Sequence, residues 1–230
     1  ADGALSNTRD AFNFEVSEQS YQQLALVANI KTQQSHQYTA WQRFLTSGPI
    51  AYLPLPDTQQ CSIVWSANQT LANELLALPE AQLESRIAAA MDHRLGNVQL
   101  LTQCQSFPLI ARHSHQYLQE RVALIGDAAH TIHPLAGQGV NLGFADAAQL
   151  AKQVTQLYHN KKDIGRLLNL RPFERARKAD NHLTQKAMTA LNWVYQQQHP
   201  AMVLARNLGV TSIDNSPVIK NKLMKQAMGL

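Results

Sequence analysis

The sequence lacks long apolar runs, and none of its segments has the length of apolar residues that a membrane-spanning helix needs. Its first residues include Asp2, Arg9 and Asp10 and contain no apolar core of a secretory signal peptide. Cysteine is nearly missing too, with Cys61 and Cys104 alone and no Cys-x-x-Cys pair. Both cysteines fall in predicted strands, so we expect buried free thiols, with a disulfide or a reactive thiol as the alternative.

Several motifs that carry chemistry are also missing. The sequence has no Gly-x-Ser-x-Gly, so it carries no signal for an acyl-transfer nucleophile. Gly137, Gly139 and Gly143 imitate a phosphate-binding loop, but the Lys-Ser/Thr that ends such a loop is missing. His130 and His133 form a His-x-x-His, yet no Glu or Cys nearby completes a ligand set, so we predict no metal site.

The net charge of +4 is unevenly placed, because Lys and Arg outnumber Asp and Glu from residue 161 onward. The densest basic group is Arg171, Arg175, Arg177 and Lys178. We interpret it as a solvated helix face, with an anionic partner such as a lipid surface or a companion protein as the alternative. Nucleic-acid binding is not expected of this group.

The 230 residues, 45% of them hydrophobic, suffice for a large core and one or two domains. Residues 21–31 alternate between apolar and polar side chains and predict a half-buried strand, with Leu24, Leu26, Ala28 and Ile30 on its apolar face. Further strands are predicted at 38–45, 50–55, 61–66 and 98–104. The first four strands would form an antiparallel meander, the floor of a substrate-binding domain.

Helical patterns follow this meander. Leucine spacing predicts two helices on either side of Pro79, and a long helical stretch is predicted at 163–188. Amphipathic helices are predicted near the carboxyl end, and we expect them to pack on the sheet, with an exposed apolar patch as the alternative. Trp41, Tyr52 and Trp65 suggest an aromatic substrate box, but core packing is the preferred interpretation for each of them.

The richest signal lies within residues 121–150. The run Val122-Ala123-Leu124-Ile125 has no polar alternation and predicts a strand buried on both faces of a parallel sheet. Gly126 and Asp127 end that strand at the edge where open α/β sheets bind ligands. A loop with Pro134 then opens into a helix, whose buried face is predicted to contain Val140, Phe144, Ala147, Ala151, Val154 and Tyr158.

This arrangement predicts a site for a nucleotide-type cofactor. The free amides and positive dipole of a helix start favour an electron-rich group. Glycines let the backbone approach a flat ligand, since a Cβ would hold it away. Asp127 is an acceptor suited to hydroxyls, such as those of a sugar chain.

The same run, from Gly126 to Asp146-Ala147, resembles the second FAD fingerprint of the flavoprotein aromatic hydroxylases at about a dozen specified positions. The first residues resemble that family's Asp-Gly-x-x-Ser-x-x-Arg motif at Asp2, Gly3, Ser6 and Arg9. Nearly the whole chain is similar to the ubiquinone-biosynthesis hydroxylases, most of all to the VisC/UbiI type.

The resemblance implies an α/β fold with an incomplete FAD-binding, Rossmann-like domain of the p-hydroxybenzoate-hydroxylase type, an antiparallel substrate domain and carboxyl-terminal helices. It also implies a monooxygenase that uses FAD, NAD(P)H and O2 to hydroxylate a prenylated phenol. Asp127 would bind the ribityl hydroxyls, and Pro134 would shape the loop against the ring. The helix start would present amides to the pyrimidine edge, from Gly137, Gln138, Gly139, Val140 and Asn141. Gly126, Asp2 and Arg9 complete the implied site, and no catalytic base is assigned.

The expected segments are 1–15 and 111–160 for FAD, 16–110 for substrate, and 161–230 for the carboxyl-terminal helices. The family's first Gly-x-Gly-x-x-Gly element does not occur in these 230 residues. We therefore expect the carboxyl-terminal portion of a longer enzyme, which alone is inactive and binds FAD poorly.

The expected location is cytoplasmic, with peripheral association with the inner membrane or with other ubiquinone-biosynthesis proteins. The alternatives are another flavoprotein on this scaffold, such as a prenyl reductase or a halogenase, and a binding or assembly module without catalysis.

Overall fold

The computed structural model describes residues 1–131, 138–197 and 199–227. It divides the chain into two compact units. The cofactor-side unit comprises Ala1–Gln19, Ile110–Leu191 and Val203–Leu230, and the sheet unit comprises Ser20–Leu109 and Asn192–Met202.

The described strands and helices are numbered here along the chain. The strands are β1 (Val16–Thr32), β2 (Trp41–Leu45), β3 (Gly48–Pro54), β4 (Gln60–Asn68), β5 (Val98–Leu100), β6 (Gln105–Ser114), β7 (Leu118–Gln119), β8 (Val122–Ala123) and β9 (His130–Thr131). The helices are α1 (Asn7–Ala11), α2 (Gln69–Leu76), α3 (Glu80–Ala90), α4 (Gln138–His159), α5 (Leu167–Gln196), α6 (Pro200–Asp214) and α7 (Pro217–Ala227). A single 3-10 turn covers Gly126–Ala128.

In the sheet unit, β2, β3, β4 and β1 pair antiparallel in that order, and β5 pairs with β1. This arrangement confirms the predicted meander. The alternation in β1 also confirms its apolar face, because Leu26, Ala28 and Ile30 are buried. Side chains of α2 and α3, among them Leu75 and Ile87, pack on that face and complete the core of the unit.

The aromatic residues of the sheet unit lie in its core, which confirms the packing interpretation. Tyr52 and Trp65 are buried, and the Tyr52 hydroxyl donates a hydrogen bond to the Ile87 carbonyl at 3.1 Å. Trp41 packs against the same core with the Arg94 guanidinium over its ring, 4.2 Å from the centroid.

Both cysteines are free, as predicted. Cys61 is buried in β4, where burial raises the pKa of its thiol to about 11. Cys104 lies in the irregular segment before β6 instead of in a strand, because β5 ends at Leu100. Burial also raises the pKa of the Cys104 thiol above its ordinary value.

The predicted parallel-sheet strand at 122–125 is wrong for this chain. Of these four residues only Val122 and Ala123 form a strand, and they pair antiparallel with Leu118 and Gln119 of β7. The pairings of β1 with β4 and β5, of β3 with β2 and β4, of β6 with β9 and of β7 with β8 are all antiparallel. The apolar run at 122–125 is instead covered by helices, since Ala123 and Ile125 pack in a cluster built largely from α4 and α5.

The carboxyl-terminal helices leave apolar side chains exposed. In α6 no residue is buried, and Leu204 and Leu208 lie exposed at 61% and 59% of their surface. This exposure agrees with the alternative of an exposed apolar patch, while packing of these helices on the sheet stays a prediction. Over the residues that the structure describes, no helix has both the length and the apolar content to cross a membrane.

Candidate cofactor site

A cavity of about 670 Å³ lies in the cofactor-side unit. Asp127 lines it together with Gly139 and Val140 from the first turn of α4. Gly3 of the first motif and Gly126 of the 3-10 turn share the same cavity. The structure thus brings together residues from both motifs that the sequence singled out, although more than 120 positions separate Gly3 from Asp127.

The predicted buried face of α4 is confirmed at Val154, which packs on the cluster of Leu157 and Phe173, but it is wrong at three other positions. Val140, Phe144 and Tyr158 are exposed at 63%, 69% and 73%. Val140 and Phe144 line the cavity, whereas the buried positions of α4 include Leu142 and Leu157. Both stripes are apolar, so spacing alone did not distinguish the side that faces the core from the side that faces the cavity.

Glycine is required where the 3-10 turn meets α4. Gly126 has φ +61°, a left-handed conformation that costs other residues free energy. A Cβ built on Gly143 would lie 3.4 Å from the Cα of Gly126, which shows how closely the turn and the helix pack. At Gly3 and Gly139 a Cβ would meet no atom within 4 Å, so these missing side chains leave open space.

A buried carboxylate fixes the turn from behind. Asp146 of α4 is fully buried, and its Oδ2 accepts the Gly126 backbone N–H at 2.9 Å. The same oxygen lies 2.6 Å from His130 Nε2, and the other oxygen, Oδ1, accepts Arg177 Nε at 2.6 Å. Burial acts to raise the pKa of Asp146, but bonds and charge from His130, together with Arg177, hold that pKa below its ordinary value.

Arg177 is itself held in a fixed orientation. Its Nη1 donates to Asp180 Oδ2 and its Nη2 to Asn181 Oδ1, both at 2.9 Å. Asn181 in turn donates to the Tyr117 hydroxyl at 3.3 Å, and burial raises the pKa of Tyr117 to about 12. A planar guanidinium with several donors suits this role better than an ammonium.

The solvated-face interpretation of the basic group holds for Arg171 and Arg175 but is wrong for Arg177, which is 5% exposed. It is also wrong for Lys178, which is half-buried and donates to the His115 carbonyl at 2.6 Å. The sequence contained one signal for this, because Asn181 follows Arg177 by one helical turn and supplies an acceptor on the same face. His130, which the sequence offered as half of a His-x-x-His pair, is buried and lies within hydrogen-bond distance of Asp146.

The Asp-Gly-x-x-Ser-x-x-Arg motif at residues 2–9 supports the site, although of its four motif residues the cavity lining includes Gly3 alone. Asp2 accepts a hydrogen bond from the Ser6 hydroxyl and, at 3.0 Å, from the Thr8 amide. Ser6 caps α1 through the Arg9 amide at 2.9 Å. The Ser6 hydrogen bond is the main cause that holds the pKa of Asp2 well below its ordinary range. Buried Arg9 directs Nη1 to the Ala128 carbonyl at 3.5 Å, so it contacts the 3-10 turn.

The other predicted residues are placed as follows. Gln138 is the first residue of α4, and Asn141 lies exposed in its first turn. Among the described residues, the cavity wall includes neither Asn141 nor Asp2 nor Arg9. Pro134 and Gly137 fall outside the residues that the structure describes.

The donor set fits the ring and sugar chain of a flavin nucleotide. Asp127 is an acceptor for hydroxyls, and the start of α4 supplies a positive dipole end. The open space at Gly3 and Gly139 allows a flat group to lie close to the backbone. Val140 and Phe144 offer apolar contact to such a group.

The fold and this site define a flavin-binding unit, and the comparison of sequences agrees. The chain belongs to the FAD binding domain family, which matches residues 1–183. It is 35% identical to 3-demethoxyubiquinol 3-hydroxylase of Escherichia coli and 33% identical to the mitochondrial ubiquinone biosynthesis monooxygenase COQ6 of Xenopus tropicalis. These alignments cover 100% and 97% of this chain, but 58% and 55% of the relatives. The chain thus spans a little more than half the length of these relatives.

Solved structures show the same fold. The p-nitrophenol 4-monooxygenase PnpA of Pseudomonas putida superimposes with a TM-score of 0.74 at 17% identity, covering 98% of this chain and 57% of that chain. The mixed fold of the p-hydroxybenzoate-hydroxylase type is thereby confirmed. The relatives support the predicted family of ubiquinone-biosynthesis hydroxylases and do not single out the VisC/UbiI type.

Proposed function

We propose that the chain supplies the ring-and-ribityl side of the FAD site in a monooxygenase that hydroxylates a prenylated phenol in ubiquinone biosynthesis, of the VisC/UbiI type. NAD(P)H and O2 are the co-substrates of this proposal. The observation that carries it is the single cavity shared by Asp127 and the first turn of α4. The family match and the names of the relatives support the reaction class.

FAD, when bound, supplies the redox and oxygen chemistry, while the protein binds and orients it. Asp127 accepts hydroxyls of the ribityl chain, and Gly139 and Val140 lie where the helix dipole stabilises negative charge on the ring. Val140 and Phe144 form an apolar wall that would shield a bound ring from water on that side of the cavity. Gln138 and Asn141 belong to the same helix start, and Gly137 and Pro134 precede it in the sequence.

The sheet unit offers an apolar surface for the prenylated phenol. Val27 and Ala51 lie opposite Val64 in the registers of β1 with β4 and of β3 with β4. All three residues are half-buried and alternate with residues of the core, so they lie on the face opposite the packed helices. Small apolar side chains on an accessible sheet face suit a flat ring with an isoprenoid tail.

Riboflavin is the direct probe, because it contains the ring and ribityl chain without the diphosphate and adenosine. We expect riboflavin to shift the amide resonances of Gly126, Gly139 and Val140 in an NMR titration of this chain. Asp127→Ala removes an acceptor worth about 1–3 kcal/mol and should weaken that binding by about 5- to 150-fold.

Asp92→Asn is the matched control, since Asp92 is an exposed acid of the sheet unit. Equal riboflavin affinity in Asp127→Ala and Asp92→Asn would refute the role of Asp127. For the longer enzyme, product analysis with candidate phenols, with and without O2, separates a hydroxylase from a prenyl reductase or a halogenase.

A further inference from the structure

We propose that Arg177, far from the cofactor motifs in sequence, is a positioning residue that acts through Asp146 to hold Gly126 and Asp127 in place for the flavin. The inference deepens the proposed function and rests on it. It assigns a role to α5, whose residues do not line the cavity within the described part of the chain.

The geometry divides the two oxygens of Asp146 between two tasks. Oδ2 accepts the Gly126 backbone N–H, which belongs to the 3-10 turn at the cavity. The same oxygen contacts Nε2 of His130, in the short strand β9 that follows the turn. Oδ1 takes only Arg177 among the described hydrogen bonds. Because Arg177 occupies Oδ1, it fixes the rotation of the carboxylate and aims Oδ2 at Gly126.

The environment makes this orientation depend on Arg177. Asp146 is 0% exposed, so water does not replace a lost partner. Arg177 is anchored by Asp180 and Asn181, which leaves its Nε a fixed direction towards Asp146. Removing the guanidinium leaves the His130 imidazole and the Gly126 amide as the described hydrogen-bond partners of a buried carboxylate.

The link reaches the cavity through one residue. Gly126 lines the cavity and is followed directly by Asp127, whose carboxylate is the proposed ribityl partner. Gly126 needs its left-handed φ of +61°, and the Asp146 hydrogen bond restrains that conformation. A small rotation of Gly126 therefore moves Asp127 relative to a bound sugar chain.

The test compares Arg177→Gln with Arg175→Gln, an exposed arginine of the same helix. The readout without ligand is the hydrogen-exchange protection of the Gly126 amide, measured by NMR on the whole chain. We expect Arg177→Gln to lower that protection by about tenfold, the loss of roughly one hydrogen bond. Amides of the sheet unit such as Ile63 should keep theirs. Riboflavin affinity should fall in parallel, and Arg175→Gln should match wild type in both measurements.

The pH profile separates positioning from packing. The groups facing Asp146 are His130 from β9 and Arg177 from α5, with Tyr117, Glu174 and Asp180 next to them. Since Arg177 helps to depress the pKa of Asp146, Arg177→Gln should lose Gly126 protection at a higher pH than wild type as the pH falls. A role in packing alone leaves that midpoint unmoved.

If Arg177→Gln does not fold, Arg177→Lys and Asn181→Ala carry the test, since both keep a positive charge at position 177. Lysine lacks the planar guanidinium with its several donors, and Asn181→Ala removes the acceptor of Arg177 Nη2. Each variant should therefore give Gly126 protection between that of wild type and that of Arg177→Gln. Wild-type protection of Gly126 in a folded Arg177→Gln, or in both substitutes, overturns the inference. A wild-type chain that does not bind riboflavin overturns the proposed function, while Gly126 exchange still decides whether Arg177 positions the turn.

Discussion

The carboxylate of Asp146 accepts the backbone amide of Gly126 at 2.9 Å, although 20 positions separate them in the chain. This one contact joins the middle of α4 to the turn that carries Asp127. The carboxylate is fully buried next to the turn that lines the cavity. Its hydrogen bond restrains Gly126, which has a left-handed backbone conformation. A buried side chain of α4 thus positions the turn that carries the proposed flavin contact, Asp127.

Alanine substitution should distinguish the two glycines of this contact. Gly126→Ala forces an L-residue to φ +61° and should destabilise the chain by about 1–2 kcal/mol. Gly143→Ala has no such strain, and its Cβ would lie 3.4 Å from Gly126, so the cost should be smaller. Urea unfolding of both variants measures the difference, and an equal or reversed order contradicts the argument.

Neutralising Asp146 should be costly. Asp146→Asn removes the buried one of the two carboxylates that contact Arg177, and breaking a buried ion pair typically costs about 3–5 kcal/mol. Asp180→Asn removes the exposed partner of the same arginine and should cost less than about 1 kcal/mol. The comparison uses free energies of unfolding at pH 7, and similar losses for both would show that burial is not decisive.

The free energy of unfolding should also fall at acid pH, in part because Asp146 becomes protonated. Its pKa is lowered in the folded chain, so its contribution is complete above the unfolded value of about 3.9 and is lost as the pH falls through the folded value. Wild type should therefore lose more free energy of unfolding than Asp146→Asn between pH 5 and the acid transition. Parallel pH profiles for the two proteins would be evidence against this assignment.

The end of α5 should be coupled to β2 through an aromatic pair. Phe44 and Tyr195 stack with centroids 4.1 Å apart and an angle of 23° between the rings. A double-mutant cycle with Phe44→Ala and Tyr195→Ala should give a coupling free energy of about 0.5–1.5 kcal/mol. The same cycle with Phe44→Ala and Leu208→Ala, an exposed leucine of α6, should be additive. Additivity in the first cycle would mean that the stack is not maintained.

FAD itself should bind poorly to these 230 residues, because they contain no Gly-x-Gly-x-x-Gly cradle for its diphosphate. We expect an FAD affinity close to that for riboflavin, since both ligands would use the same ring and ribityl contacts. Equilibrium dialysis with each flavin tests this. A stoichiometric yellow complex that survives gel filtration would contradict it.

Much of the fold followed from local patterns in the sequence. Alternation predicted the meander, because a strand with one buried face must repeat every two residues, as β1 does from Leu24 to Ile30. Pro79 separated α2 from α3, and glycine and aspartate at 126 and 127 predicted a break next to a ligand site. These signals are short-range, so they need no knowledge of the partner segments.

The sequence by itself determined the chemistry of the site: a hydroxyl acceptor at Asp127, small residues near the start of α4, and an FAD motif around them. Tertiary structure decided which apolar stripe of α4 faces the cavity and which basic residue of α5 is buried. Val140 and Leu142 are both apolar, and Arg175 and Arg177 are both basic, so composition does not separate them. Their different fates depend on packing partners distant in the chain, and only the folded arrangement of Gly126, Asp146 and Arg177 supplies those partners.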